Sequence, residues 1–214
     1  MLPIAIAAGT TPSAFFLELL PAAHERLAAP ATTPFRGRWH ARIAGGDPED
    51  FTLDFDGPKL TARVGTPESL GGAGAMWATR QSSEDFDALI AEIARLGPAK
   101  GGTPKPVDGA LERRLATIRG VFRVVITDLA AAEGARPCRL ELAIGPAGKA
   151  MSMLEDAVDD DAPDVTIEVP VALLRVAAAG GAPPGGPRIS GKKHLAMALG
   201  LAFLPLLPAP PAGR

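Results

Sequence analysis

The strongest constraint on this chain is a pattern that occurs twice. The segment RGRWHARI at residues 36–43 and the segment RGVFRVVI at residues 119–126 share Arg, Gly and Ile at equivalent places, with Trp39 standing where Phe122 stands. In the first, Trp39, Ala41 and Ile43 alternate with Arg38, His40 and Arg42, the period of a strand with one buried face. The flanks repeat as well. Before the first copy, Phe16, Leu19, Leu20, Ala23 and Leu27 recur at spacings of three and four, which predicts an amphipathic helix over residues 13–29 with Pro12 near its start and Pro21 inside it. After it, Phe51, Leu53 and Phe55 predict a second strand, and Leu60, Ala62 and Val64 a third. A loop at 71–74, a fourth strand at 75–79 and a helix capped by Ser82 follow, the helix carrying Phe86, Leu89, Ile90, Ile93 and Leu96.

The second half runs in the same order. Leu111, Leu115 and Ile118 give a helical stripe, Leu140, Leu142 and Ile144 a strand, and Met151 and Met153 stand where Leu60 and Ala62 stood. The strand at 164–169 then leads into a helix at 171–179. An offset of about 83 to 88 residues between the copies reads as a tandem duplication; the alternative is the self-similarity of any chain with short strands and helices. The expected fold is α+β, two modules of mostly antiparallel sheet covered by helices. The first spans 1–97 and lacks a last strand and helix, the second spans 108–207, a Gly/Pro-rich linker at 98–107 joins them, and 208–214 is a frayed tail.

Composition closes off several classes. At 214 residues the chain can form one ordinary domain or two small ones. With 47% hydrophobic and 21% charged residues it can build a core, and with 22 basic against 24 acidic side chains it has no positive field to hold nucleic acid. One cysteine, Cys138, excludes a disulfide scaffold and a Cys-rich zinc module, and it fits a reducing, cytoplasmic setting. The apolar residues 1–8 carry no Lys or Arg and make a poor signal peptide, and the run 195–207 is too short to span a bilayer. Richness in Ala, Gly and Pro points to a high-GC bacterial source.

Groups that could carry chemistry are sparse. His24, His40 and His194 fall on separate elements with no ligand at metal spacing, Cys138 has no nucleophile signature, and the six carboxylates of 155–164 read as a solvated acidic turn lacking the alternation and glycine of a calcium loop. The glycine runs at 71–74 and 180–181 match no phosphate-cradling motif. Lys192 and Lys193 form a weak patch for anionic head groups, and His194 with Arg188 is the one polar pair that an enzyme acting on lipid could use.

The strand PDVTIEV at 163–169, the Ala/Leu helix ending at Gly180, and RISG at 188–191 running into HLAMAL at 194–199 resemble the sterol carrier protein 2 domain family. The resemblance covers 108–203; Ser83 to Phe86 carries a weaker likeness in the first half. Where the family has a helix before its last strand, this chain has only the Gly/Pro run at 180–187. The resemblance implies a helix-covered sheet with an apolar tunnel for a lipid tail or sterol. Strand alternation places Phe122, Val124, Leu142, Val165 and Ile167 on the covered face, with Leu174, Leu195, Met197, Leu199 and Phe203 pointing back at them. For each, an ordinary filled core position is the alternative. The expected function is non-enzymatic binding or transfer of a hydrophobic small molecule (fatty acyl, sterol or similar), without cofactor or metal, with at most transient membrane contact. The alternative is a ligand-free scaffold or dimerisation module, with a second copy or another protein as partner.

Overall fold

Alternating strands with one apolar face must pair and be covered, and here they pair into a single sheet. The computed structural model describes residues 4–27, 34–66, 75–97, 109–131, 134–145, 149–159, 163–179, 181 and 185–203. A π-helical segment, Ala14–Leu19, runs into α1 (Leu20–Leu27). Pro21 has no N–H to donate to the preceding turn, and the wide turn before it lets the helix continue. Then come β1 (Arg36–Ala44), β2 (Asp50–Asp56), β3 (Lys59–Val64), β4 (Ala75–Ser82) and α2 (Ser83–Leu96). The second half holds α3 (Gly109–Leu115), β5 (Gly120–Ala131), β6 (Gly134–Gly145), α4 (Ala150–Asp159), β7 (Val165–Pro170), α5 (Val171–Ala178), β8 (Arg188–Gly191) and α6 (Lys193–Phe203). The expected linker at 98–107 and tail at 208–214 lie outside the described residues.

The eight strands form one mostly antiparallel sheet in the order β3-β2-β1-β4-β6-β5-β7-β8. β1 pairs antiparallel with β2 and parallel with β4; β5 pairs antiparallel with β6 and parallel with β7. The seam is the antiparallel pairing of β4 with β6, from Met76 opposite Gly145 to Arg80 opposite Glu141. This pairing corrects one expectation. Met151 and Met153 do not form a strand equivalent to β3, because the edge of β6 that a third strand would use is taken by β4. They lie instead on α4, whose Ala150 and Leu154, four apart, pack on Ala78, Val121 and Ala143. The same helix takes up Glu155, Asp156 and Asp159, so the expected acidic turn is partly helical. Its ends are engaged: Glu155 pairs with Arg42 at 3.2 Å, and Asp164 accepts from Lys192 at 2.5 Å and from the Val121 N–H at 2.9 Å.

The two faces differ. On the face shared by Trp39, Trp77, Leu142 and Phe122, the π-helical segment and α2 cover β1 and β2 through Phe16, Phe86 and Ile90, while α3 and α6 cover β5 and β7 through Leu111, Leu115, Ala196 and Leu199. α2 is capped as its sequence predicts, the Asp85 N–H donating to Ser82 Oγ at 3.1 Å. The opposite face carries α4 at its centre and ion pairs around it. Arg38 and Arg63 hold Asp54, Arg42 holds Asp50 at 2.8 Å, and Arg80 and Arg123 hold Glu141, both with nitrogens at 3.0 Å. Gly191, at φ +84° and with no room for a Cβ beside the Asp164 carbonyl, turns β8 into α6. Among the described residues no helix is long and apolar enough to cross a membrane.

Burial alone would raise the Glu141 carboxyl, but its hydrogen bonds and charge pairing with Arg80 and Arg123 hold it below the ordinary carboxylate range. A depressed folded pKa stabilises the fold above the unfolded value, and that stabilisation is lost as pH falls through the folded value. Glu141→Gln is therefore expected to be less stable than the parent at neutral pH and to lose less stability on acidification. Denaturant midpoints followed by tryptophan fluorescence between about pH 7 and pH 3 check this; an acid limb identical to the parent's contradicts it.

Candidate functional site

Rows of side chains running across β6, β5, β7 and β8 show how the helices cover the apolar face of the second half. The first row is Leu142, Phe122 and Val165, paired in register. Phe122 and Val165 have no solvent exposure, and they pack with Leu111, Leu115, Ile144, Ala196 and Leu199, with Leu142, Ile167 and Leu195 at the margin. Leu195 Cδ1 lies 2.9 Å from where a Cβ on Gly120 would sit, so α6 rests directly on the β5 backbone. Four residues further along the strands, Cys138 and Ile126 are again buried, beneath Ala88 of α2 and Val171 and Leu174 of α5. A break in register between Ile126 and Leu129, with Asp128 at φ +62°, turns Leu129 into the same cluster.

Between these two covered rows runs a third. Leu140 pairs with Val124, Val124 with Ile167, and Ile167 with Ile189. All four are apolar and on the covered face, yet Leu140, Val124 and Ile167 are only half-buried and Ile189 is 37% exposed. Val124 lies on a strand paired on both sides, where the apolar face of a fully covered sheet is buried. We read its partial exposure as incomplete cover, a trough between α6 on one side and α2 with α5 on the other. At about 4.8 Å per strand the row extends about 14 Å from β6 to β8. The β4–β6 register ends with Thr79 opposite Leu142 and Arg80 opposite Glu141, one residue short of Gln81 and Leu140. The Gln81 Oε1 is buried and has no hydrogen-bond partner among the described residues.

Of the residues expected to line a tunnel, Phe122, Leu142, Val165, Ile167, Leu195 and Leu199 meet in one cluster. Val124 and Ile167 floor the trough, and Leu174 sits on α5 in the neighbouring cluster. Met197 is a correction: it is 66% exposed and does not point back at the sheet. Leu195, Met197 and Leu199 are spaced by two, a strand period; on a helix of 3.6 residues per turn Met197 lies opposite the other two, and Leu201, 62% exposed, lies near it. Phe203 closes α6, and its side chain lies outside the described residues. Leu140, Ile189 and Gln81 were not anticipated. Alternation with Leu142 could have placed Leu140, whereas nothing in the sequence distinguishes Gln81.

The other polar candidates do not converge. His194 and Arg188 are exposed, and Arg188 lies 3.8 Å from Glu168. His24 bonds the Gly57 carbonyl at 2.9 Å. His40, 1% exposed, sits on the opposite face with Nε2 at 3.0 Å from Asp50; burial lowers its pKa despite that carboxylate. Burial pushes the Cys138 thiol up to about 12, with the Asp85 charge adding to it, and the thiol donates to the Asp85 carbonyl. Among the described residues no group of three or more His, Cys, Asp or Glu side chains could hold a metal ion. No family model, curated protein or solved structure matches the chain.

Two outcomes follow from this packing. Phe122→Ala is expected to cost about 3–5 kcal/mol of stability, and Met197→Ala to fall within about 0.5 kcal/mol of the parent, by urea unfolding. Similar losses at both positions contradict the assigned helix face. In the folded protein Cys138 should resist a thiol reagent at mildly alkaline pH and react only on unfolding, because the thiolate is scarce and the sulfur buried.

Proposed function

We propose that the protein binds, without catalysis, an elongated hydrophobic small molecule in the trough floored by Leu140, Val124, Ile167 and Ile189. One observation carries this reading: on β5, an inner strand of the sheet, Val124 is half-covered between Phe122 and Ile126, which are both buried. Such a row leaves apolar surface facing water, and a guest lying along it removes that surface at about 25 cal/mol per Å2 on each side. About 0.8 kcal/mol per buried methylene, against an association cost of about 4 to 15 kcal/mol, requires a guest of some length. The exposure of His194 and Arg188, the pair that lipid chemistry could use, supports binding over catalysis. The reading takes the two halves as sterol-carrier-like modules fused through β4 and β6, supported by the shared pairing of β1 with β2 and β4 and of β5 with β6 and β7. The lone thiol fits a cytoplasmic setting.

A second reading has its own support. The direct seating of Leu195 on Gly120 and the full burial of Phe122 and Val165 leave the core beneath α6 filled, as in a scaffold or dimerisation module of the same fold. Ligand uptake separates the two. The delipidated protein, mixed with 1-dodecanol and followed by native mass spectrometry, is expected to take up the alcohol at one-to-one stoichiometry. Val124→Trp, which fills the trough from its floor, should weaken uptake by tenfold or more while keeping a cooperative thermal transition. Uptake unchanged by Val124→Trp places the ligand elsewhere, and no uptake by the parent favours the scaffold.

A further inference from the structure

We infer that the outer face of α6 docks the protein on an anionic membrane surface, whether or not the trough holds a guest. Four large apolar side chains are exposed among the described residues, and the two most exposed, Met197 and Leu201, both belong to α6. Four residues apart on a helix of 3.6 residues per turn, they lie one above the other, with Lys193 one turn before them and His194 and Gly200 on the same exposed side. The other side of the helix, with Ala196, Leu199 and Ala202, is buried in the cluster that holds Phe122 and Val165. From Leu195 to Phe203 the helix has no polar side chain on either side. A surface helix sets polar residues on its outer face, and one that is apolar all round is covered all round, by protein or by lipid.

Charge decides between the two covers. α6 carries no acidic residue, and Lys193, which opens its outer face, has no ion-pair partner among the described residues. Nearby, Lys192 holds Asp164 and Arg188 lies 3.8 Å from Glu168, so each carboxylate is answered by a cation and Lys193 is left in excess. An apolar stripe beside uncompensated positive charge matches the boundary between acyl chains and anionic head groups. Met197 and Leu201 enter the acyl region, and Lys193, on its long stem, reaches the phosphates. The chain as a whole has a net charge of -2 and is not drawn to such a surface, so adsorption must use this local face. A second copy suits the patch less well, since two apolar side chains per copy cover far less than the roughly 1,200 Å2 that a stable interface buries. So small a patch gives reversible adsorption rather than anchoring.

The test is co-sedimentation of the full-length protein at low salt with vesicles of phosphatidylcholine alone and of phosphatidylcholine with one part in three phosphatidylglycerol. The parent is expected to partition about fivefold more strongly onto the anionic vesicles, and Lys193→Glu to remove that preference. Met197→Ser combined with Leu201→Ser should lower partition onto the anionic vesicles about tenfold while keeping the parent's cooperative thermal transition, because both side chains are exposed. The double alanine variant provides the same comparison if the serine variant fails to fold. No adsorption by the parent overturns the inference, as does adsorption that these variants leave unchanged. Sedimentation velocity without lipid adds a further check: a parental dimer that the double variant turns into a monomer gives the face to a second copy and overturns membrane docking.

Discussion

The structure depends on one strand pairing. Without β4 against β6 the chain would hold two four-stranded sheets, each with an open edge of unpaired N–H and C=O groups. β4 would expose the edge facing away from β1, and β6 the edge facing away from β5. Exposed edges of that length invite association, and proteins close them or blunt them. Here each half closes the other's. The row Arg80, Glu141 and Arg123, one residue from each of β4, β6 and β5, marks the seam and the strand beside it, with one carboxylate held between two guanidiniums.

The helices cross the seam as well. Glu92 of α2, 1% exposed, receives Arg175 of α5 at 2.8 Å and Arg95 of its own helix, and these partners hold its carboxyl below the ordinary range although burial opposes this. A carboxylate so buried needs such partners, since removing them leaves an uncompensated charge. The pair therefore fixes the distance between a helix of the first half and one of the second. Together with Ala88 against Ile126 and Cys138, it sets one wall of the trough. The other wall is α6, positioned by the Gly191 turn and by Lys192 on Asp164. The trough is the gap between two helical supports anchored independently to the same sheet, which explains why Val124 is left half-covered between the buried Phe122 and Ile126.

Much of the fold was legible from the side-chain periods. Strands β1, β2, β3, β5, β6 and β7 follow the alternation of Trp39, Phe51, Leu60, Phe122, Leu140 and Val165 with their neighbours, and α2 begins at its Ser82 cap. The errors came where a local pattern had to choose a partner. Met151 and Met153 suit a helix or a strand, and the occupied edge of β6 decided for the helix. Met197, expected to face the sheet with Leu195 and Leu199, is turned away from them by the helical period. Gln81 carries no local signal, because an amide on a strand acquires meaning only from what lies beside it.

By itself the sequence determined the order and type of most elements and the apolar character of one sheet face, since these follow from periodicity and residue chemistry within short windows. Tertiary structure decided that the halves share one sheet, which strand edges meet, and which apolar row stays half-covered. The physical reason is that burial and hydrogen-bond satisfaction are set by residues remote in the chain: Arg80 and Glu141 become neighbours only when β4 finds β6.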